Sequence, residues 1–86
     1  VLKAGTILTR YGRVKGSYFG NEEDTFAQRS LPRTTDVSQY HKYRLKKDMP
    51  AEKAIIAPWF GQPGGGVQYK ISNEVFAEFD KYLQVI

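Results

Sequence analysis

Eighty-six residues, 41% hydrophobic and 26% charged, are enough for one domain with a modest core and exclude a disordered chain. The absence of Cys rules out a disulfide framework, a thiolate nucleophile and a thiolate zinc site, and no apolar run approaches the ~18 residues of a membrane helix. A net charge of +4 suits an anionic partner as well as it suits a solubilising surface excess, with Lys42, Arg44, Lys46 and Lys47 supplying much of it.

The chain begins at Val1 without the basic, apolar and small-residue layout of a signal peptide, and reads as a piece of a longer polypeptide. Thr6–Thr9 reads as a first short strand. A loop from Tyr11 to Asp24 follows, punctuated by Gly12, Gly16 and Gly20. Phe26–Leu31 fits a short helix or a turn, ended by Pro32. From Val37 to Lys47 polarity alternates with period two. Val37, Gln39, His41, Tyr43 and Leu45 fall on one face, and Ser38, Tyr40, Lys42, Arg44 and Lys46 on the other. This is the clearest strand, and it turns His41 inward or toward a site.

Met49-Pro50 breaks the chain, and Lys53–Ala57 is a short β-like run. Gly64–Gly66 reads as a flexible turn before a strand carrying Val67, Tyr69 and Ile71. Ser72 or Asn73 can cap a helix on which Val75, Phe76 and Phe79 share an apolar face, and Tyr82–Ile86 closes the chain as a strand. The expected fold is a small α+β domain: a mostly antiparallel sheet of short strands with one or two short helices.

Gly61-Gln62-Pro63-Gly64-Gly65-Gly66 is entropically costly in so small a domain, which points to a loop that lets backbone approach a ligand or takes positive φ. It fits neither the Walker pattern nor GxGxxG. Trp59 and Phe60, just ahead of it, suit either the core or the flat wall of a site for a nicotinamide or adenine ring, with at least one of them expected in the core. His41 is the only histidine, so no histidine-pair metal site exists, and a lone strand histidine is more often structural than catalytic. Arg10, Arg13, Arg29 and Arg33 have no acids at i, i+4 spacing; such guanidinium groups suit phosphate oxygens or a solvated loop. Glu22-Glu23-Asp24 reads as a solvated acidic turn, not a carboxylate pair for sugar hydrolysis.

Five segments, LTRYG (Leu8–Gly12), GSYF (Gly16–Phe19), FAQRSLP (Phe26–Pro32), YHKYRLKK (Tyr40–Lys47) and APWFGQPGGGVQY (Ala57–Tyr69), together resemble the tuberculosis necrotizing toxin domain family. They keep the family's order over nearly the whole chain, and the last is the most specific. The resemblance implies an NAD glycohydrolase forming the C-terminal toxin domain of a secreted effector, a family that also includes fungal surface enzymes. NAD, or its phosphorylated form NADP, would be substrate, with no cofactor, no nucleic acid and no membrane insertion. Action in the cytoplasm of a target cell and a cognate immunity protein in the producer are implied as well.

The family motif places functional residues at Arg10, Tyr18, Arg29, His41 and Gln62. By this resemblance Gln62, His41 and Arg29 are catalytic candidates, while Arg10, Tyr18, Arg29, His41, Trp59, Phe60, Gly64 and Gly65 bind the dinucleotide. The chemistry tolerates the missing acid, because nicotinamide is already cationic in NAD and leaves neutral, without the proton that ordinary glycosidases must supply. The competing reading is a ribonuclease toxin or RNA-binding module, drawn from the positive charge, the single His and six tyrosines. A mono-ADP-ribosyltransferase is a third, for which no catalytic Glu stands out.

Overall fold

The computed structural model describes residues 1–86. Six strands form one sheet: β1 (Ile7–Tyr11), β2 (Tyr18–Asn21), β3 (Tyr40–Leu45), β4 (Glu52–Ile55), β5 (Val67–Lys70) and β6 (Leu83–Val85). A 3-10 turn at Ala27–Arg29 follows β2, and two short helices, α1 (Asn73–Ala77) and α2 (Phe79–Tyr82), precede β6. The strand order is β4-β5-β2-β1-β3-β6 and every pairing is antiparallel, an α+β domain as the pattern predicts.

Strand alternation gives the sheet two unlike faces. Leu8, Phe19, Tyr43 and Leu45 project to the first, where Ile71, Val75, Phe79, Leu83 and Met49 complete a nine-residue core. Phe19 and Phe79 both meet the Tyr43 ring edge to face, at 5.4 and 5.8 Å between centroids. Each such side chain contributes about 1.5–3 kcal/mol of burial, so a handful carries most of the stability of so small a domain. Thr9, Tyr11, Gly20 and Tyr40 project to the second face. The segment around the 3-10 turn covers it, with Arg29 bonded to Thr9.

Ser72 caps α1 as the pattern predicts, its Oγ accepting from the Val75 N–H at 3.2 Å. Of the expected apolar stripe, Val75 and Phe79 are buried, but Phe76 is 39% exposed. Phe76 follows buried Val75 on α1, about 100° around the helix, and Glu78, at φ −111°, breaks the helical path that would have aligned Phe76 with Phe79. β3 starts at Tyr40 rather than Val37, which is 62% exposed. The Asp36 carboxylate takes both the Ser38 N–H (3.0 Å) and its hydroxyl (2.6 Å), folding the expected first turn of the strand into an Asx turn.

Two further expectations fail. β2 lies inside the stretch read as loop, and Gly64–Gly66 is fastened rather than flexible. The Gly64 N–H reaches Ala27 O at 3.3 Å, Gly65 reaches Ile56 O at 2.8 Å and Gly66 reaches Gln28 O at 3.0 Å. A Cβ on Gly66 would stand 2.8 Å from Gln28 O and 2.9 Å from Asp24 Oδ2, so the glycine there serves a backbone-to-backbone contact.

Candidate active site

On the second face, Thr9, Tyr11, Tyr18, Gly20, Arg29, Leu31, Ile56 and Gln68 line a cleft, joined by Arg10 and Phe19. Its volume is ≈ 180 Å³. Ordinary ligand sites measure about 300–1,000 Å³, so the cleft accommodates one ring or a diphosphate rather than a whole dinucleotide.

Arg29 dominates its electrostatics. The residue is 7% exposed, yet no carboxylate lies within ion-pairing distance, and all four ion pairs of the molecule use lysines. Neutral oxygens hold it instead: Nη2 donates to Thr9 Oγ1 at 2.7 Å and Asn21 O at 2.8 Å, and Nε donates to Asp24 O at 3.2 Å. The guanidinium lies over the rings of Tyr11 (5.2 Å) and Tyr40 (5.5 Å), which themselves pack at 4.7 Å. A cation so enclosed keeps its fork in one orientation, with Nη1 uncommitted. Gly20 makes room for it, because a Cβ there would sit 3.2 Å from Nη1.

Arg10 and His41 are cross-strand partners on β1 and β3, on the core face rather than the cleft face. The Arg10 guanidinium lies 5.9 Å from the Phe19 ring centroid, and it is spent on main chain: Nε donates to Arg13 O and Nη1 to Tyr18 O, both at 2.8 Å. Burial lowers the pKa of Arg10, with the Tyr43 phenol opposing the shift. His41 Nε2 is 2.9 Å from Gly12 O. Both side chains therefore touch the β1–β2 loop, and Arg10 also borders the cleft.

Gln62 ends a two-residue hairpin. Its N–H bonds Trp59 O at 2.9 Å, the Trp59 N–H returns to Gln62 O at 3.2 Å, and the central residues Phe60 (φ 53°) and Gly61 (φ 71°) both have positive φ, the signature of a type I′ turn. Trp59 (65% exposed) and Phe60 (54%) stand edge to face at 5.8 Å, so neither is the core residue expected. The hairpin base rests on the cleft wall through Ile56, and the Ser30 hydroxyl bonds Ala57 O at 2.8 Å.

The structure thus brings Arg10, Tyr18 and Arg29 to one cleft, sets His41 beside Arg10 on the opposite sheet face, and carries Gln62, Trp59 and Phe60 on the adjoining hairpin. Gly64 is packed against Ile56 O and Ala57, whereas nothing lies within 4 Å of where a Cβ on Gly65 would be. Sequence reasoning missed Thr9, Tyr11, Tyr40 and Gln68. The alternation of β1 carries part of that signal, since Thr9 and Tyr11 share a face. Asp24 was read as solvated, but its Oδ2 accepts the Val67 N–H at 2.8 Å and its main-chain oxygen holds Arg29.

The model of the family described as Tuberculosis necrotizing toxin matches residues 1–84. The conidial surface nicotinamide adenine dinucleotide glycohydrolase of Aspergillus fumigatus is 33% identical over 86 residues, covering 92% of this chain and 37% of that protein. Among solved structures, tuberculosis necrotizing toxin complexed with its immunity factor is similar with a TM-score of 0.65 and 26% identity, over 94% of this chain and 48% of that one. The chain therefore spans from about a third to about half the length of these relatives.

Proposed function

Because the chain belongs to the tuberculosis necrotizing toxin family, we propose that it hydrolyses NAD at the bond between nicotinamide and ribose, as the name of its Aspergillus relative describes for that enzyme. The observation that carries the proposal is Arg29, a buried, aromatic-stacked guanidinium with no counter-ion, facing a cleft the size of a diphosphate or one ring. Burial of an unpaired charge is costly, and an anionic ligand offsets that cost.

In this reading Nη1 of Arg29 binds the diphosphate, and the Tyr18 hydroxyl, at the rim, orients the nicotinamide ribose. The hairpin supplies Gln62 to align the attacking water, and Trp59 or Phe60 to stack on a ring, while Gly65 leaves its backbone open to approach. Arg10 and His41 act by shaping the β1–β2 loop, a narrower part than direct contact with the diphosphate. The bond from the ribose C1′ to the nicotinamide nitrogen breaks, and nicotinamide leaves with the electron pair. Water adds at C1′ and releases a proton to solvent, giving nicotinamide and ADP-ribose. The developing oxocarbenium is stabilised by orientation and by neighbouring dipoles, without a general acid.

As a toxin domain it would form the C-terminal part of a longer secreted effector and act on the NAD, or NADP, of a target-cell cytoplasm. The tuberculosis toxin was solved with its immunity factor, and a comparable inhibitor is proposed for this chain. Incubating the domain with NAD alone tests the activity. Free nicotinamide and ADP-ribose in equal amounts are expected, and intact NAD alongside cleaved RNA would reverse the assignment in favour of a ribonuclease.

A further inference from the structure

We infer that Tyr43 is a positioning residue for the cleft: its buried hydroxyl clamps the β1–β2 loop, Gly12–Ser17, and so fixes the place of Tyr18. The hydrogen bond from its hydroxyl to Val14 O joins positions 29 apart in sequence.

Packing does not explain that hydroxyl. The Tyr43 ring is fully buried and meets Phe19 and Phe79 edge to face, contacts a phenylalanine would make equally well. A phenol in that place adds only a polar group that must find a partner, and the partner is a loop carbonyl. Desolvation raises its pKa, opposed by Arg10, so it remains a protonated donor at neutral pH.

From the loop's own side chains the body receives Lys15, which pairs with Asp80 at 3.1 Å and lies 5.8 Å from the Phe79 ring centroid, an exposed contact of small worth. Arg13, Val14 and Lys15 are exposed, so no apolar side chain anchors its tip. Consecutive carbonyls are gripped from outside instead: Gly12 O by His41, Arg13 O by Arg10, Val14 O by Tyr43 and Ser17 O by the Ile71 N–H at 2.9 Å, after which Tyr18 O meets Arg10 again. Gly16 completes the clamp, because a Cβ there would fall 2.1 Å from Arg10 Nη1. Tyr18, the first residue of β2, leaves this clamp directly into the cleft lining. Tyr43 lies outside that lining; its ring touches the lining residue Phe19, a contact phenylalanine would keep, whereas its hydroxyl reaches the cleft through the loop.

The kinetic part of this inference rests on the NAD reading; the structural part does not. Arg13 and Lys15 are exposed trypsin sites within the clamped loop. In Tyr43→Phe, cleavage after these two residues is expected to quicken about five-fold, the factor set by losing one ordinary hydrogen bond, and the KM for NAD is expected to rise by a similar factor with kcat within about twofold. Leu83→Ala, a core change outside the loop, controls for general loosening and should not favour these two sites. If Tyr43→Phe and Leu83→Ala gave the same cleavage pattern, the clamp would be overturned. An unchanged KM in folded Tyr43→Phe would overturn the link to the cleft. A wild-type domain that left NAD intact would overturn the activity instead, and the trypsin comparison would still decide the role of Tyr43.

Discussion

Replacing Arg29 by Lys keeps the charge and removes the fork. Three donor contacts are at stake, to Thr9 Oγ1, Asn21 O and Asp24 O, and one ammonium on a differently shaped stem can restore about one of them. Losing two bonds from a charged donor, at roughly 1.5–3 kcal/mol each, implies destabilisation of at least ~3 kcal/mol. At about 0.05–0.15 kcal/mol per residue, the chain has roughly 4–13 kcal/mol in all, so the variant stays mostly folded at 25 °C after a loss of ~3 kcal/mol, and after a loss of ~6 kcal/mol only in the upper part of that range. For a domain of this size the melting temperature should drop by about 12 °C or more. Urea unfolding gives the stability. NAD kinetics, run cool enough to keep the variant folded, give the contact: KM should rise, because the ammonium that replaces the bonds to Thr9 and Asn21 no longer directs a donor into the cleft. A loss below about 1 kcal/mol would refute the structural account of the fork. A wild-type KM in the folded variant would remove Arg29 from the diphosphate.

Gln62→Ala should lower kcat by about 10²-fold or more, as loss of a positioned polar group does in other enzymes, and leave the melting temperature unchanged, since the Gln62 side chain makes no hydrogen bond within the protein; wild-type turnover would exclude it from the site. Phe60→Asn converts the turn to Asn-Gly, the sequence a type I′ turn prefers, and should stabilise the fold by about 0.5–1 kcal/mol while raising KM for NAD, both read from the same preparation. Acid should destabilise the domain in a defined window. Asp36 is held below the ordinary carboxylate range by the Ser38 hydroxyl, Asp48 by the Ala4 N–H and Glu78 by Lys81. Groups with depressed folded values add stability above their unfolded pKa of about 4, and that stability is lost as pH falls through the folded values. Thermal melts should therefore hold steady down to about pH 5 and decline below it, with Asp48→Asn showing a shallower decline.

The sequence was most readable where side chains alternate without interruption. β3 and the capped start of α1 follow from Tyr40–Leu45 and Ser72 because each depends on neighbours within a few residues. β2 was hidden for a physical reason: Gly20 interrupts its pattern, and that glycine is set by the Arg29 guanidinium arriving from a segment nine residues later. The same long-range dependence concealed the burial of Arg29, which by local spacing looked as solvated as Arg13 or Arg33. Trp59 and Phe60 misled in the opposite direction, since two large aromatics suggest a core, and only the hairpin geometry shows them projecting outward. Arg10 and His41 were identifiable as residues of interest, and the alternation of β3 already set His41 on the face of Tyr43 and Leu45; that Arg10 stands beside it depends on the β1–β3 register, which no local pattern reports.

β6 pairs with β3 at the edge of the sheet, and Ile71, Val75, Phe79 and Leu83 supply four of the nine core residues. The residues that line the cleft are all in place by Gln68. During synthesis the ribosome therefore makes every group assigned to the chemistry before it makes the segment that packs beneath them. A nascent chain stopped short of Leu83 has an open sheet edge and an unfilled core face, and so no rigid cleft. A rigid cleft is tied to synthesis of the chain through β6, and translation products that stop before it should be inert as well as unstable.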